Sequence, residues 1–581
     1  MAEKLMKDHL YGDLLAPASG YSTDFAMGMT YSLSFDALLT TYLAFGMLGE
    51  MDENIIQSPH ILLEAINKSS EKVVVFCNKG GIAVPSKIRK VYSLLEQNIF
   101  EVFNKKDHRA NFHPKLWLIR EVSKDNKDDV QLKLIVTSRN LAYTDTIDCV
   151  ACLTGKVGTQ AINTKKHQPL ISFIKSIVGE SNISGEQKKS VLQLCEDLKH
   201  VKRFNVEAPF EDYDFFPYVF KKNGEQRKLD KSLIGTESII VSPFIDKSMI
   251  ARLNSENKSR CILITRKEYV DQKIFDQFNN RGGIYVALDD LVSRGIDLHA
   301  KMYHVWNGRN AQYLFLGSAN ATTSAFERNV EFLLRLKYKS GNARINQFLS
   351  NFYEKGNDDS KFMPLKEPIE TATPNITWDP AEIAMKDLMC ADDLIAHITH
   401  HRDGYYSIVV SSKKTSNDVE VFIAPLQKEV LKQLWTGRVA FDQMKAEELS
   451  EFYIISAKTI EGVEHKSIIK IATSGMPSER DQRIYKSIIN KSNFYQFLEL
   501  MLTDTPIEYI SSEMHLIKER KVGSSCNDER QYPCIYEEML KIAATNPVQF
   551  NEIGKLIEKL GKDEVPESFM KIYKQFVAAL S

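Results

Sequence analysis

No charge of one sign dominates this 581-residue chain: 75 Lys and Arg stand against 76 Asp and Glu, for a formal net charge of −1. Bulk charge therefore gives no sign of a polyanion partner, and any nucleic-acid role would need a local basic surface. Long apolar runs are missing too. The most apolar early stretch, Ala37 to Leu48, is too short to span a bilayer. Cysteines are few and scattered, at Cys77, Cys149, Cys152, Cys195, Cys261, Cys390, Cys526 and Cys534, so they form no disulfide framework. The opening MAEKLMKDHLYGDLL is polar and does not read as a signal peptide. Together these absences lead us to expect a cytoplasmic protein without a membrane partner. What remains is ordinary for soluble chains: 43% hydrophobic and 26% charged residues. This length leads us to expect three or four domains.

The informative stretch is Leu298 to Glu331, LHAKMYHVWNGRNAQYLFLGSANATTSAFERNVE. His299 and Lys301 are two apart within the run Leu298–Met302–Tyr303–Val305, which predicts a strand with both polar heads on one face. Tyr313 to Leu316 predicts a second strand, and Gly317-Ser318-Ala319-Asn320 a turn into a helix. The same order occurs earlier: Asn111-Phe112-His113-Pro114-Lys115, an apolar strand, then Leu134 to Leu141 with Thr137-Ser138-Arg139-Asn140. A repeat of this kind predicts two similar lobes, each giving one His, one Lys and one Asn to a shared site. An imidazole, a fixed cation and an amide donor suit a phosphodiester.

The two clusters resemble the phospholipase D superfamily, whose signature is His-x-Lys followed by Gly-Ser-x-Asn. The second copy fits it, with Asn329-Val330-Glu331 downstream. The first has Thr137 in place of the Gly. Both lack the Asp found five residues after the Lys in many members: Arg120 and Trp306 stand there. In this the chain is similar to the tyrosyl-DNA phosphodiesterase branch and to nucleases of the superfamily. The resemblance covers roughly the first 350 residues. It implies a metal-independent phosphodiesterase without a cofactor, acting through a phosphohistidine, with His113, Lys115, Asn140, His299, Lys301, Asn320 and Glu331 in catalysis. Ser138, Ser318, Asp148 and Arg139 are expected to contact substrate. A carboxylate fixes an imidazole tautomer, a role that suits Glu331 and, in the first lobe, Asp148. By analogy His113 is favoured as the nucleophile. Nucleic acid is the expected substrate. Similar layouts in bacteria imply a restriction or phage-defence setting, with a helicase or other defence subunit as partner of the C-terminal region. The rival readings are a hydrolase of phospholipids or small diesters, and a decayed nucleic-acid or protein-binding subunit.

The remaining segments are read from pattern. Strands are expected at Asp24 to Tyr31, Lys72 to Phe76 and Ile99 to Phe103, and helices from Phe35, over Pro85 to Leu95, and over Thr164 to His200. The second lobe repeats the alternation and closes with a helix over Asn342 to Phe352. The fold class is thus α/β: two sandwich lobes at 1–205 and 206–355, a linker at 356–380, a β-rich domain at 381–515 and a helical tail at 516–581. The tail fits docking on its own chain or on a protein partner. His397, His400 and His401 at helical spacing read as a solvated turn more readily than as a metal face. Cys149-Val150-Ala151-Cys152 is half a zinc pattern without a second half, and reads as a buried strand. Basic runs at Lys105 to Arg109 and Lys221 to Lys228, with Arg120 and Arg328, are candidates for phosphate contact against the plainer reading of solvated loops.

Overall fold

The computed structural model describes residues 11–46, 58–161, 164–220, 231–254, 259–308, 312–339, 345–369, 379–415, 418–459, 461–490, 493–502, 535–545, 547–561 and 564–580. The basic run 221–228 and the segment 518–530 lie outside these residues, as do Cys526 and Cys534.

Two sheets are laid out to one plan. The first holds β1 (Tyr21–Thr30), β2 (Val73–Asn78), β3 (Ile99–Val102), β4 (Leu116–Ser123), β5 (Val130–Thr137) and β7 (Val150–Lys156), in the order β3-β2-β1-β4-β5-β7. The second holds β8 (Phe210–Tyr218), β9 (Glu237–Val241), β10 (Arg260–Ile264), β11 (Ile284–Ala287), β13 (Met302–Trp306), β14 (Gln312–Gly317), β15 (Glu331–Tyr338) and β16 (Phe362–Pro364). Its order is β16-β11-β10-β9-β13-β14-β15-β8, so the inner six match the first sheet strand for strand. In each, three parallel strands are followed by three antiparallel ones. The central parallel strand β2 is buried on both faces, which is why Val73 to Cys77 reads as an unbroken apolar run and not an alternation.

One hydrophobic core joins the lobes. Met27, Leu118 and Val136 of the first sheet share it with Leu314, Phe332 and Leu334 of the second. The helices Thr164–Glu180 and Gly185–His200 add Ile174 and Leu194 to it. Small parallel contacts also cross between the lobes. β6 (Thr146–Ile147) pairs with β12 (Asp297–Leu298), and Phe112 bridges to Val330.

Several expectations need correction. His299 and Lys301 do not share a strand face; they lie in the gap between β12 and β13, where the N–H groups of His299 and Ala300 both donate to the Ile147 carbonyl. The expected helix at Pro85 is a 3-10 helix over Lys90–Asn98, with both sides packed. The closing helix is shorter, Ile345–Leu349, with 340–344 outside the described residues. Within the expected linker, Phe362–Pro364 extends the second sheet by pairing antiparallel with β11. His397 and His400 lie on the strand Ile395–His400, so the helical spacing has no structural meaning there, and both are exposed.

The third unit has two four-stranded sheets. One joins β17 (Ile395–His400), β18 (Tyr406–Ser411), β21 (Arg438–Met444) and β24 (Ala472–Ser474). The other joins β19 (Val421–Pro425), β20 (Gln433–Leu434), β22 (Phe452–Lys458) and β23 (Glu464–Lys470). The C-terminal helices Ile535–Thr545, Pro547–Leu560 and Glu567–Leu580 pack on their own chain: Met539, Leu556 and Phe569 share a core with Leu38 and Leu62 of the first lobe. Leu540, next to Met539, is 46% exposed.

A buried ion pair ties this C-terminal half to the first lobe. Glu96 accepts from Arg480 Nη1, from Ser450 Oγ at 2.7 Å and from the Glu451 N–H at 2.7 Å. Removing one member strands a buried charge, which costs about 3–5 kcal/mol. Glu96→Ala is therefore expected to bring the first denaturant-unfolding transition down by about that amount. A loss below about 1 kcal/mol would mean the pair is solvated.

Candidate active site

Each histidine is delivered by a cross-lobe parallel contact. Phe112 bridges Val330, so the next residues, His113 and Glu331, lie side by side, and His113 Nδ1 is 2.9 Å from Glu331 Oε2. Leu298 pairs with Ile147, so His299 lies beside Asp148, with Nδ1 2.8 Å from Oδ1. The carboxylates are exchanged: each lobe orients the other lobe's imidazole. Asp148 was expected to act within its own lobe and to contact substrate. It acts instead on the other lobe, because the parallel pairing brings it to His299.

The serines are also reassigned from substrate contact. Ser138 and Ser318 are fully buried. Ser138 Oγ donates to Asp148 Oδ1 at 2.6 Å, and Ser318 Oγ donates to Glu331 Oε2. Each hydroxyl also accepts a backbone N–H, from Cys149 and Phe332 respectively, both at 2.9 Å. They hold the carboxylates. Thr146 Oγ1 on Asp148 at 2.6 Å and Asn329 Nδ2 on Glu331 at 3.3 Å complete the two sets.

The lysines complete the centre. Lys115 Nζ donates to the His113 carbonyl at 3.0 Å, and Lys301 Nζ to the His299 carbonyl at 2.5 Å. Both are buried. Burial drives the Lys115 ammonium well below its ordinary range, with the Lys301 charge adding to the effect. Burial lowers Lys301 to about 7 against the pull of Asp148. Burial also lowers both imidazoles: His113 in spite of Glu331, and His299 to about 4 in spite of the Asp148 hydrogen bond. Asp148, which burial alone would raise, is held at about 2 by His299, Ser138 and Thr146. A neutral imidazole facing a carboxylate donates through Nδ1–H and keeps its lone pair on Nε2.

Asn140 and Asn320 sit in matching turns. Their placement depends on hydroxyls that sequence reading missed. Thr30 Oγ1 accepts the Leu141 N–H at 3.0 Å, and Ser242 Oγ accepts the Ala321 N–H at 2.9 Å, each just after the Asn. These hydroxyls end the first antiparallel-paired strand of each sheet, a signal visible only once the repeat is aligned. Asn320 Oδ1 is buried without a partner among the described residues, whereas Asn140 Oδ1 accepts from the Ser32 N–H at 3.5 Å. Tyr31 was also missed. Its ring centre is 5.0 Å from that of His113 and 5.6 Å from Lys115 Nζ.

Other candidates lie apart. Arg120, at the position of the missing Asp, pairs with Asp24 at 2.6 Å and Asp197 at 2.9 Å. Arg328 pairs with Asp107 at 3.3 Å, and Lys105 with Asp392 at 3.1 Å. The Arg139 side chain makes no hydrogen bond or ion pair among the described residues, and it is half-buried in the Asn140 turn. Cys149 is buried with Sγ 3.6 Å from the Lys301 carbonyl. Among the described residues no group of three or more His, Cys, Asp or Glu is placed to hold a metal. Among them, too, no helix is long and apolar enough to cross a membrane.

No family model matches the chain, and no curated protein matches it. Solved structures do. A mutant of yeast tyrosyl-DNA phosphodiesterase aligns with a TM-score of 0.35 and 13% identity, over 56% of this chain and 85% of that one. The yeast enzyme without a mutation named aligns with a TM-score of 0.33 and 12% identity, over 58% and 88%. At these values the likeness assigns neither family nor activity.

The paired geometry makes a prediction independent of turnover. At pH 5.5 an ordinary imidazole is about 90% protonated, while His299, with its value near 4, stays neutral. Nitrogen NMR of histidine-labelled protein should find it with Nδ1 protonated and Nε2 bare. Because its folded value is depressed, its contribution to stability is full above about 6.5 and is lost as pH falls towards 4. Asp148→Asn removes a charge that favours the imidazolium and should lower the value further. A normal titration near 6.5 in the native protein would contradict the burial described.

Proposed function

We propose that this chain is a phosphodiesterase of the phospholipase D type whose substrate is nucleic acid. The observation that carries the reading is the crossed arrangement: two imidazoles, each fixed by the opposite lobe's carboxylate, beside two buried lysines that feel each other's charge. Fixed tautomers with bare Nε2 atoms suit one group that attacks and one that moves a proton.

In the proposed reaction His113 Nε2 attacks phosphorus. A nitrogen–phosphorus bond forms as the bond to the departing oxygen breaks, and His299, which takes up a proton from solvent at Nε2 when the anionic substrate arrives, gives that oxygen its proton. His299, now neutral, takes a proton from water. The water oxygen attacks phosphorus, breaks the nitrogen–phosphorus bond and restores both imidazoles. Glu331 and Asp148 steady the cation that each ring becomes in turn. Lys115 and Lys301 face the non-bridging oxygens, and the amides of Asn140 and Asn320 donate to them. Arg139 lies at the rim for a neighbouring anionic group. The C-terminal half is open to a protein partner such as a helicase or another defence subunit, and the restriction or phage-defence setting remains part of the proposal.

The test is incubation with labelled single- and double-stranded DNA and RNA, with and without EDTA. Cleavage undiminished by excess chelator is expected, and loss of cleavage there would overturn the metal-independent route. His113→Ala or His299→Ala should each cost about 10³-fold or more in turnover. Rapid quenching into alkaline denaturant, in which a nitrogen–phosphorus bond survives, should recover a nucleotidyl group on His113 alone. The pH profile carries a second expectation. Lys301 loses its proton as pH rises through about 7, and the proton donor empties in the same direction. The optimum of kcat/KM is thus expected on the acid side of neutrality. An optimum at pH 8 or above would remove Lys301 from the phosphate-gripping role.

A further inference from the structure

The two halves of the centre match almost atom for atom, so the places where they differ carry information. Strand register gives the correspondence. Met29 pairs with Leu116 and Val241 with Met302, each partner directly following the lysine. In the parallel neighbours Met29 pairs with Phe76 and Val241 with Ile264. Counting on, Tyr31 corresponds to Pro243, Ser32 to Phe244, and Asn78 to Arg266.

On the His113 side this layer is uncharged. Asn78 spends its amide on backbone: Oδ1 accepts the Phe112 N–H at 2.9 Å and Nδ2 donates to the Lys79 carbonyl at 2.9 Å. Tyr31 covers His113, and the nearest carboxylate influence on it is Glu382, from the helix Pro380–Met389 of the third unit. On the His299 side the same position is a cation. Arg266 Nε donates to the carbonyl of Leu298, the residue before His299, at 2.9 Å, and lies 3.2 Å from Asp297 Oδ2. Its guanidinium carbon is 5.1 Å from the Phe244 ring centre, and Tyr269 braces that ring edge-on at 5.6 Å. Its charge reaches Lys301. The two terminal nitrogens make no hydrogen bond among the described residues, and the side chain is 20% exposed. A guanidinium fixed through Nε and held over an aromatic ring leaves its outer fork for two oxygens of a phosphate.

We infer that Arg266 and Phe244 form a subsite for a second phosphate, next to the one being cleaved and on the His299 side. The inference rests on the phosphodiesterase reading and deepens it. The substrate it selects is a polynucleotide strand that continues past the His299 side, whereas the Tyr31 side accommodates an uncharged group. Substrate polarity then follows from Arg266, whose counterpart on the His113 side, Asn78, is uncharged.

The test compares one diester lacking a second phosphate, bis(p-nitrophenyl) phosphate, with a fluorescein-labelled pentathymidylate. Arg266→Gln is expected to raise KM for the pentathymidylate about tenfold or more. The same variant should change kcat/KM for the small diester less than about twofold. The slope of log(kcat/KM) against log salt should flatten by about one. Arg266→Lys keeps the charge and should keep the slope. Equal losses on both substrates would make Arg266 a structural brace of Leu298, and no loss on either would remove the subsite. Anisotropy of the labelled pentathymidylate reads binding without turnover. If the native protein cleaves neither substrate, the phosphodiesterase reading fails. The subsite then stands on about tenfold weaker binding by Arg266→Gln, or falls with unchanged binding.

Discussion

Two short parallel contacts between the lobes, Phe112 to Val330 and Leu298 to Ile147, set the geometry on which the centre depends. A parallel pairing brings the residues that follow it side by side, and here those residues are His113 with Glu331 and His299 with Asp148. Neither lobe alone contains an oriented imidazole. Separating the lobes would take the His113 donor from Glu331, which has no exposure at all, and leave Ser318 and Asn329 alone on a buried carboxylate. The shared apolar core and the exchanged carboxylates thus reinforce each other: the core holds the sheets face to face, and the crossed pairs penalise any slip in how they meet.

The charges balance within the centre. Two carboxylates face two lysines, while burial keeps both imidazoles neutral by preference. The lysines bear the cost, because both ammonium groups are desolvated, and the Lys301 charge pushes Lys115 further down. A site in this condition gains from an arriving anion, which relieves lysine–lysine repulsion and favours the protonated forms. Asn320, with an amide oxygen that finds no protein donor, is a further polar group left uncommitted at the same place.

Much of this was legible from residue order, and the reason is the repeat. His-x-Lys followed by Ser-x-Asn, found twice, was enough to bring His113, Lys115, His299 and Lys301 into one neighbourhood, and alternating apolar runs located most strands. What could not be read were consequences of pairing between distant segments. The exchange of Asp148 and Glu331 depends on which strand end meets which, and sequence offers no register for a two-residue contact such as Leu298 with Ile147. Ser138 and Ser318 were expected in the pocket because hydroxyls near a motif suggest ligand contact, yet the nearest acceptors are the carboxylates behind the histidines. His299 and Lys301 alternated like strand residues but fall in a break, since the Ile147 carbonyl takes two of that segment's N–H groups. The histidines at 397 and 400, read as a solvated turn, are exposed on a strand whose Ile395, Ile398 and Thr399 are β-branched.

A duplicated centre poses a problem that duplication cannot solve. Attack and proton transfer are different tasks, so two equivalent imidazoles must be made inequivalent by something outside the repeat. Most matched elements repeat: Thr30 and Ser242 make the same bond, Ser138 and Ser318 do likewise, and Lys115 and Lys301 both return to their own histidine's carbonyl. The carboxylates, Glu331 and Asp148, and the Asn140 and Asn320 amides differ in their partners, and the difference in charge enters one layer out, where Tyr31 and Asn78 on one side answer to Pro243 and Arg266 on the other. The third unit adds to it from the Tyr31 side, where Lys386 of the helix Pro380–Met389 donates to Asn111 at 2.6 Å, two residues before His113. That helix thereby holds the segment that leads into His113. Direction along a strand is then a property of the flanks and of the appended unit, while the repeat supplies only the chemistry common to both halves.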